Sequence, residues 1–302
     1  MIDYGKPGGL IQYFIFAVKV LFYCLKSDSD IFYSRDEMPL WFLSIFNKKV
    51  FWEVHTGKWN FLVSDTVKRC HGIITISNGI KKYFENKNID GDKILVSPDA
   101  VDIEQFSLDI KKNDARKKIG LPSDKKIILY TGHLYAWKGA DTLANSAKEF
   151  NEEYLFVFVG GNINHVNDLK KRFSNQDNIM ILGQKPHEDI PFYLKSADVL
   201  VIPNSGKEDV SRLYTSPMKL FEYMASGTPI IASNLPSIRE IIDEDGAVFF
   251  EPDNPESLAR SIKKIFDNSA LADKMANNSK INSQKYSWQR RAEGIINFIS
   301  SR

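Results

Sequence analysis

Short apolar runs recur along this chain, each followed by a longer stretch with helical spacing, and that alternation limits its fold more than any other feature. Runs of strand length fall at 31–34, 50–53, 72–77, 93–97, 127–132, 154–160, 179–183, 199–203, 229–233 and 247–250. Helical patterns fall at 9–26, 37–47, 78–87, 114–119, 138–150, 164–174, 188–195, 217–226, 236–243, 255–268, 270–282 and 287–300. Strands that read as near-continuous Val, Ile, Leu and Phe are buried on both faces, so the pattern predicts doubly wound α/β domains with parallel sheets. At 302 residues, two such domains fit. The turn-rich segment SPDAVDIEQF and the charged stretch after it place a boundary near residue 107. The expected division is an N-terminal domain over 1–107, a C-terminal domain over 108–285, and a last amphipathic helix, 286–302, crossing back to the first domain.

Composition excludes some partners. Net charge is only +2, and thirteen basic and thirteen acidic residues precede residue 107, so no basic arm for nucleic acid is present. Cys24 and Cys70 are far apart and form no CxxC pair, which argues against a disulfide framework or zinc site and fits a reducing, cytoplasmic compartment. The run LIQYFIFAVKVLFYCL, residues 10–25, is short for a membrane span and contains Lys19. It has neither a charged leader nor a cleavage site. It reads as a buried helix of a folded domain or, failing that, as a helix in peripheral contact with a membrane.

Two strings in the second half carry chemistry. In TSPMKLFEYMASGTP, residues 215–229, Ser216 reads as an N-cap and Pro217 as the first helical residue. Gly227 marks the end of that helix. The helix follows a strand, so its N-terminal N–H groups lie where open parallel sheets bind ligands and where anions are welcome. Glu222 sits six residues on, roughly 9 Å along the axis, the span between a diphosphate and a ribose diol. An ordinary capped helix with a solvated glutamate fits the same string. In YTGHLYAWKGA, residues 130–140, a strand ends at Thr131-Gly132 and Lys138-Gly139 opens a helix. Gly132 permits close backbone approach, Lys138 suits a phosphate, and His133 offers a further donor. Alone, Lys138 reads as a surface lysine. No Walker loop or GxGxxG is present.

In the first half, FWEVHTGKW places His55 at the carboxyl end of an apolar strand. A lone histidine there is more often structural. Glu53 reads as a strand residue paired with a nearby lysine, or as part of a site.

Together, TGHLYAWKG, SPMKLFEYMASGTPIIAS, EIIDEDGAVFFEPDNPESLARSI, ITISNGIKKYF, ILVSPDAVDIEQF and YSWQRRAEGI resemble glycosyltransferase family 4 over about residues 30–300. The resemblance implies a GT-B fold, two Rossmann-like domains facing across a cleft. It implies transfer of a hexosyl or N-acetylhexosaminyl group from a nucleoside-diphosphate-sugar to a glycan or lipid-linked acceptor, with retention of configuration and without a cofactor or metal. Gly132, His133, Lys138, Thr215, Ser216 and Lys219 would then hold the diphosphate, and Glu222 the donor ribose. His55 would serve catalysis by holding a sugar hydroxyl, with Glu53, Thr56, Gly57 and the Gly8-Gly9 pair on the acceptor side. Base selection falls to 183–186 and sugar selection to 204–214. The family's business in surface-polysaccharide assembly supplies the default pathway.

Three departures stand out. Tyr214 occupies a position where many members have a glutamate, and His133 one where an arginine is usual. The pattern shows no first strand for the N-terminal sheet, with Gly8-Gly9 read as a remnant of its loop. These departures keep two other readings open: a degenerate homologue that binds a nucleotide-sugar without turnover, and a nucleotide-sugar epimerase. The DxD at Asp28-Ser29-Asp30 and the acidic turn at Asp243–Gly246 have the wrong setting for metal sites.

Overall fold

A computed structural model describes residues 9–302; Gly8 lies outside the described residues. The chain divides into two compact units, one of residues 1–98 and 292–302 and the other of residues 99–291.

In the first unit the elements run α1 (Leu10–Leu25), β1 (Ile31–Ser34), α2 (Glu37–Ile45), β2 (Lys49–Val54), α3 (Phe61–Arg69), β3 (Gly72–Thr75), α4 (Asn78–Glu85) and β4 (Ile94–Val96). The described strands form one parallel sheet in the order β1-β2-β3-β4. Parallel neighbours need a crossover, and α2, α3 and α4 provide it. Helix α3 is absent from the sequence expectation. Its pattern is short and mixed, and Asn60 starts it by accepting the Val63 N–H at 2.9 Å. The predicted burial of α1 is also corrected. Ala17 and Leu21 are buried, and Phe14 meets Phe42 of α2 edge-on at 5.8 Å. Ile11, Phe14, Ile15, Phe22 and Tyr23 remain exposed, because only one stripe of the helix has a packing partner.

In the second unit the order is α5 (Ile103–Phe106), α6 (Lys112–Ile119), β5 (Lys126–Thr131), α7 (Ala140–Ser146), β6 (Tyr154–Val159), α8 (Ile163–Arg172), β7 (Ile179–Gly183), α9 (Ile190–Ser196), β8 (Val199–Ile202), α10 (Met218–Ser226), β9 (Ile230–Ser233), α11 (Pro236–Arg239), β10 (Val248–Phe250), α12 (Pro255–Asp267) and α13 (Ser269–Ser283). Six parallel strands are ordered β10-β9-β8-β5-β6-β7. The chain winds outward from β5 in one direction and then from β8 in the other. The switch point therefore lies between β5 and β8. Apolar clusters cover both faces, one with Phe221 and Met224 of α10, the other with Leu143 of α7 and Ile262 of α12.

The division at Pro98/Asp99 differs from the boundary expected near 107. Composition marks residues 97–106 as a linker, yet Phe106 is buried in the second unit's core and Val101 bridges to Ser287. The last helix, α14 (Trp288–Ser300), leaves the second unit at Arg291, and its Ile295, Phe298 and Ile299 join Phe51 and Ile74 in the first unit's core.

Candidate active site

The loops after β5 and β8 meet at the switch point, and their glycines explain how. Gly139 has φ +73°, and a Cβ there would lie 1.7 Å from the Pro203 carbonyl oxygen. Only glycine allows the two loops to approach this closely. The Ser205 N–H donates to the Trp137 carbonyl at 2.9 Å, which locks the contact. Gly132, with φ +126°, ends β5, and a Cβ on Gly160 would lie 2.3 Å from its oxygen. The neighbouring strand end thus packs directly on this turn.

Lys138 closes a short 3₁₀ turn, Ala136–Lys138, one turn before α7, rather than opening the helix as the sequence suggests. Its ammonium lies 3.9 Å from the Trp137 ring centroid, and burial lowers its pKa from 10.5 to about 8. His133 is exposed and stacks on Tyr135 at 5.1 Å; its carbonyl accepts the Tyr130 hydroxyl at 2.6 Å.

The start of α10 corrects the sequence reading. The helix begins at Met218, and Ser216 is not its cap. The Ser216 hydroxyl oxygen instead accepts the Asp99 N–H at 2.9 Å, a contact across 117 residues that no local pattern reveals. Thr215 is half-buried beside it. The segment before it, expected as a loop, contains a π-helical turn over Val210–Tyr214. The Ser211 hydroxyl donates to Trp137 O, and Ser237 donates to Ser211 O, so this turn is tied to the lysine loop.

Lys219, in the first turn of α10, is 8% exposed, and its ammonium is buried with no hydrogen-bond partner among the described residues. It lies 3.9 Å from the Tyr130 ring centroid, and 3.9 Å from where a Cβ on Gly132 would stand. Burial, then the charge of Lys138, pushes its pKa well below the ordinary lysine range, against an opposing pull from Glu222. A desolvated cation–π contact returns on the order of 2 kcal/mol. Burying an uncompensated ammonium costs several kcal/mol. The aromatic ring therefore does not balance the charge. Asn204, fully buried after β8, has neither end of its amide hydrogen-bonded among the described residues.

Glu222 is one helical turn further on. Burial raises its carboxyl pKa, opposed by His187 and then by Lys219. His187 Nε2 stands 3.8 Å from Glu222 Oε1. The His187 ring is held by Phe106, edge-on at 5.5 Å, and by Gln105, whose amide nitrogen lies 3.1 Å from Nδ1. Sequence reasoning missed His187 and Gln105, and it included Asn204 only as part of the 204–214 segment assigned to sugar selection. His187 belongs to no motif, and its partners come from two separated elements, α5 and α10. Tyr223 was also missed: its hydroxyl oxygen accepts the Thr131 N–H at 2.8 Å, fixing α10 to the end of β5.

In the first unit, β2 carries Glu53 to the carboxyl edge of its sheet. Glu53 is 2% exposed and accepts from His55 Nε2 at 2.7 Å and from Arg35 at 3.1 Å (Nε) and 3.0 Å. The expected lysine partner is replaced by an arginine from the end of the neighbouring strand. Trp52 donates its indole N–H to the Arg35 carbonyl, which fixes that corner. Thr56 is exposed and Gly57 half-buried just beyond. Gly9 is exposed before α1, and a Cβ there would meet nothing within 4 Å among the described residues.

Asp28 and Asp30 are exposed, and Asp243–Gly246 forms a turn in which the Gly246 and Ala247 N–H groups donate to the Asp243 carbonyl. Among the described residues, no group of three or more His, Cys, Asp or Glu side chains is placed to hold a metal ion. A depression of about 310 Å³ lined by Lys112, Lys195, Asp198 and Gly227 differs from the switch-point site. Its Asp198 is paired with both Lys112 and Arg116.

Comparison with known proteins agrees with this fold. The solved structure of HepE from Anabaena, with UDP and glucose, superposes with a TM-score of 0.80 at 17% identity, over 98% of this chain and 84% of that one. A glycosyltransferase from Rickettsia africae superposes with a TM-score of 0.83 at 21% identity, over all of this chain and 84% of that one. An uncharacterised glycosyltransferase of Methanocaldococcus jannaschii is 26% identical over 80% of this chain and 65% of its own. The UDP-Gal:α-D-GlcNAc-diphosphoundecaprenol α-1,3-galactosyltransferase of Escherichia coli is 29% identical over 61% of this chain and 48% of its own. The chain thus spans about half to two thirds of the length of these curated relatives. The fold is that of the GT-B glycosyltransferases. Residues 111–282, more than half of the chain, match the family model described as "Glycosyl transferases group 1", and the chain belongs to that family.

Proposed function

We propose that this chain takes part in moving a hexosyl or N-acetylhexosaminyl group from a nucleoside-diphosphate-sugar to a hydroxyl of a glycan or lipid-linked acceptor, with retention and without a metal ion. The observation that carries the reading is Lys219, a buried ammonium without a hydrogen-bond partner at the switch point of the second unit's sheet. With Lys138 and the first N–H groups of α10, it gives a departing diphosphate the positive surroundings that stabilise a leaving group. Glu222, one helical turn on, takes the donor ribose. In the step itself the acceptor oxygen bonds to the anomeric carbon on the face from which the phosphate departs. The C–O bond to phosphate breaks, and the acceptor proton passes to the released phosphate oxygen. His55, held by Glu53, positions a hydroxyl on the sugar or acceptor side.

A lipid-linked acceptor would suit the exposed apolar stripe of α1, which we assign to peripheral contact with a membrane surface. No described helix is long and apolar enough to cross a membrane.

The test is donor consumption with purified protein and a matched acceptor, after thermal-shift screening of nucleoside diphosphates to find the base. Sugar transfer that persists in EDTA is expected, with a product of the donor's anomeric configuration. Transfer abolished by EDTA and restored by manganese or magnesium would overturn the metal-free mechanism. Donor binding without turnover would favour the degenerate reading, for which Tyr214 and His133 speak.

A further inference from the structure

Two lysines of opposite loops share the switch point, and no carboxylate neutralises the deeper one. We propose that Lys138 and Lys219 form a paired cationic seat completed only by a diphosphate, so that nucleotide binding draws protons from solvent onto these two amines. The inference rests on the donor-site reading above and adds a proton to its chemistry.

The geometry carries it in three steps. First, Lys219 is enclosed: β5 supplies Tyr130 against its ammonium, Gly132 lies close by, and α10 supplies the backbone that anchors it. No hydrogen-bond acceptor reaches it among the described residues. Second, the titratable and charged groups around it do not compensate. Tyr130 gives its hydroxyl to the His133 carbonyl, and Tyr223 is engaged with Thr131. Glu222 pulls the other way, but Lys219 ranks behind His187 among the charges that act on it. His133 is stacked on Tyr135, outside the enclosure. Third, the remaining neighbour is Lys138, whose like charge opposes that of Lys219. Burial already brings the Lys138 amine to about 8.

A buried amine and a half-buried one that repel each other surrender protons readily. An anion of charge two or more between them reverses both causes, because it supplies the missing counter-charge and screens one amine from the other. Each amine then takes up a proton to become ammonium, while the ligand keeps its charge and nothing else changes protonation. A single carboxylate lacks the charge to hold both ammoniums. A diphosphate has it, and fully ionised phosphates release no proton that would mask the uptake.

Calorimetric titration tests this at pH 8.5, in two buffers of different ionisation enthalpy, with UDP, GDP, ADP and dTDP as probes. With the Lys138 amine near 8, about three quarters of a proton enters from that group alone, and Lys219 adds up to one more. A net uptake between about three quarters of a proton and about one and three quarters is expected for the nucleotide that binds. Lys219→Met, which keeps the length of the side chain over Tyr130, should bind that nucleotide at least tenfold more weakly and take up fewer protons. Its ligand-free melting temperature should rise, because the cost of burying an amine with no hydrogen-bond partner has gone. Binding with no net uptake, or equal affinity and uptake in Lys219→Met, overturns the proposal and leaves the donor-site reading standing. Failure of all four nucleotides to bind a folded protein overturns that reading and the proposal with it. If Lys219→Met does not fold, the proton count of the unmodified protein decides.

Discussion

Two buried charges, one in each unit, have opposite surroundings. Glu53 of β2 is 2% exposed and already accepts from Arg35 and His55. Lys219 of α10 is 8% exposed and has no hydrogen-bond partner among the described residues. A buried charge with its partners in place is assembled before any ligand arrives, and removing one member leaves the others exposed to a desolvation cost. A buried charge without partners burdens the free protein and gains when a counter-charge binds. The partners of such a group, more than its burial, separate a scaffold that orients a neighbour from a seat that awaits an anion.

His55→Ala tests the first half of that contrast and should have the largest effect. If Glu53 is scaffold and His55 the group it orients, the variant stays folded and binds nucleoside diphosphate within about twofold, roughly 0.4 kcal/mol. Transfer should fall at least about a hundredfold, the scale of losing one positioned catalytic group. A melting curve, a UDP titration and a donor-consumption assay read the three quantities. Full transfer activity in a folded His55→Ala protein would reduce the trio of Arg35, Glu53 and His55 to a structural cluster.

Glu222→Gln probes a case between the two extremes. This carboxylate is mostly buried and has His187 nearby, but at 3.8 Å the contact is loose. Substitution should weaken nucleoside diphosphate binding by about 1.5–3 kcal/mol, the range for a hydrogen bond to a charged group. The fold should survive. Calorimetry showing unchanged affinity would remove Glu222 from the ribose site and leave its burial without a functional account.

How far the sequence was legible follows the same division. All ten strands of the described residues were readable because parallel strands buried on both faces leave continuous apolar runs, such as KIILYT in β5 and YLFVFV in β6. Local punctuation also carried over: Gly227 ends α10 in the left-handed region at φ +66°. Contacts between distant residues were not readable. Ser216 looks like a cap, yet the Asp99 N–H takes its oxygen. The 97–106 segment looks like a linker, yet Phe106 belongs to a core. His187 carries no motif, and its importance appears only when Phe106, Gln105 and Glu222 gather around it. Helix α3 was hidden for a local reason, since FLVSDTVKR offers too short and mixed a pattern to separate from a loop.

The smallest expected effect concerns that histidine, and it appears mainly as a pH dependence. Burial raises the Glu222 carboxyl pKa, and the charge and hydrogen bond of His187 are the leading influences that hold it down. Holding a ribose diol needs the carboxylate form. That contribution to affinity is therefore present above the Glu222 pKa and lost as pH falls through it. The charge and hydrogen bond of His187 oppose the rise in that pKa, so His187 protects the carboxylate form as pH falls. His187→Ala should change UDP affinity by no more than about threefold at pH 8, roughly 0.65 kcal/mol. Toward pH 6 the gap should widen, because without the histidine the carboxylate protonates at higher pH. His187→Gln keeps a donor but no charge, so it should match the unmodified protein at pH 8 and follow the alanine variant at pH 6. The lysines of the diphosphate seat are common to all three proteins, so their contribution cancels in the ratios of affinity. Parallel curves from pH 5.5 to 8.5 would show that His187 does not act through the charge of Glu222, and the loose 3.8 Å contact would then be only a packing neighbour.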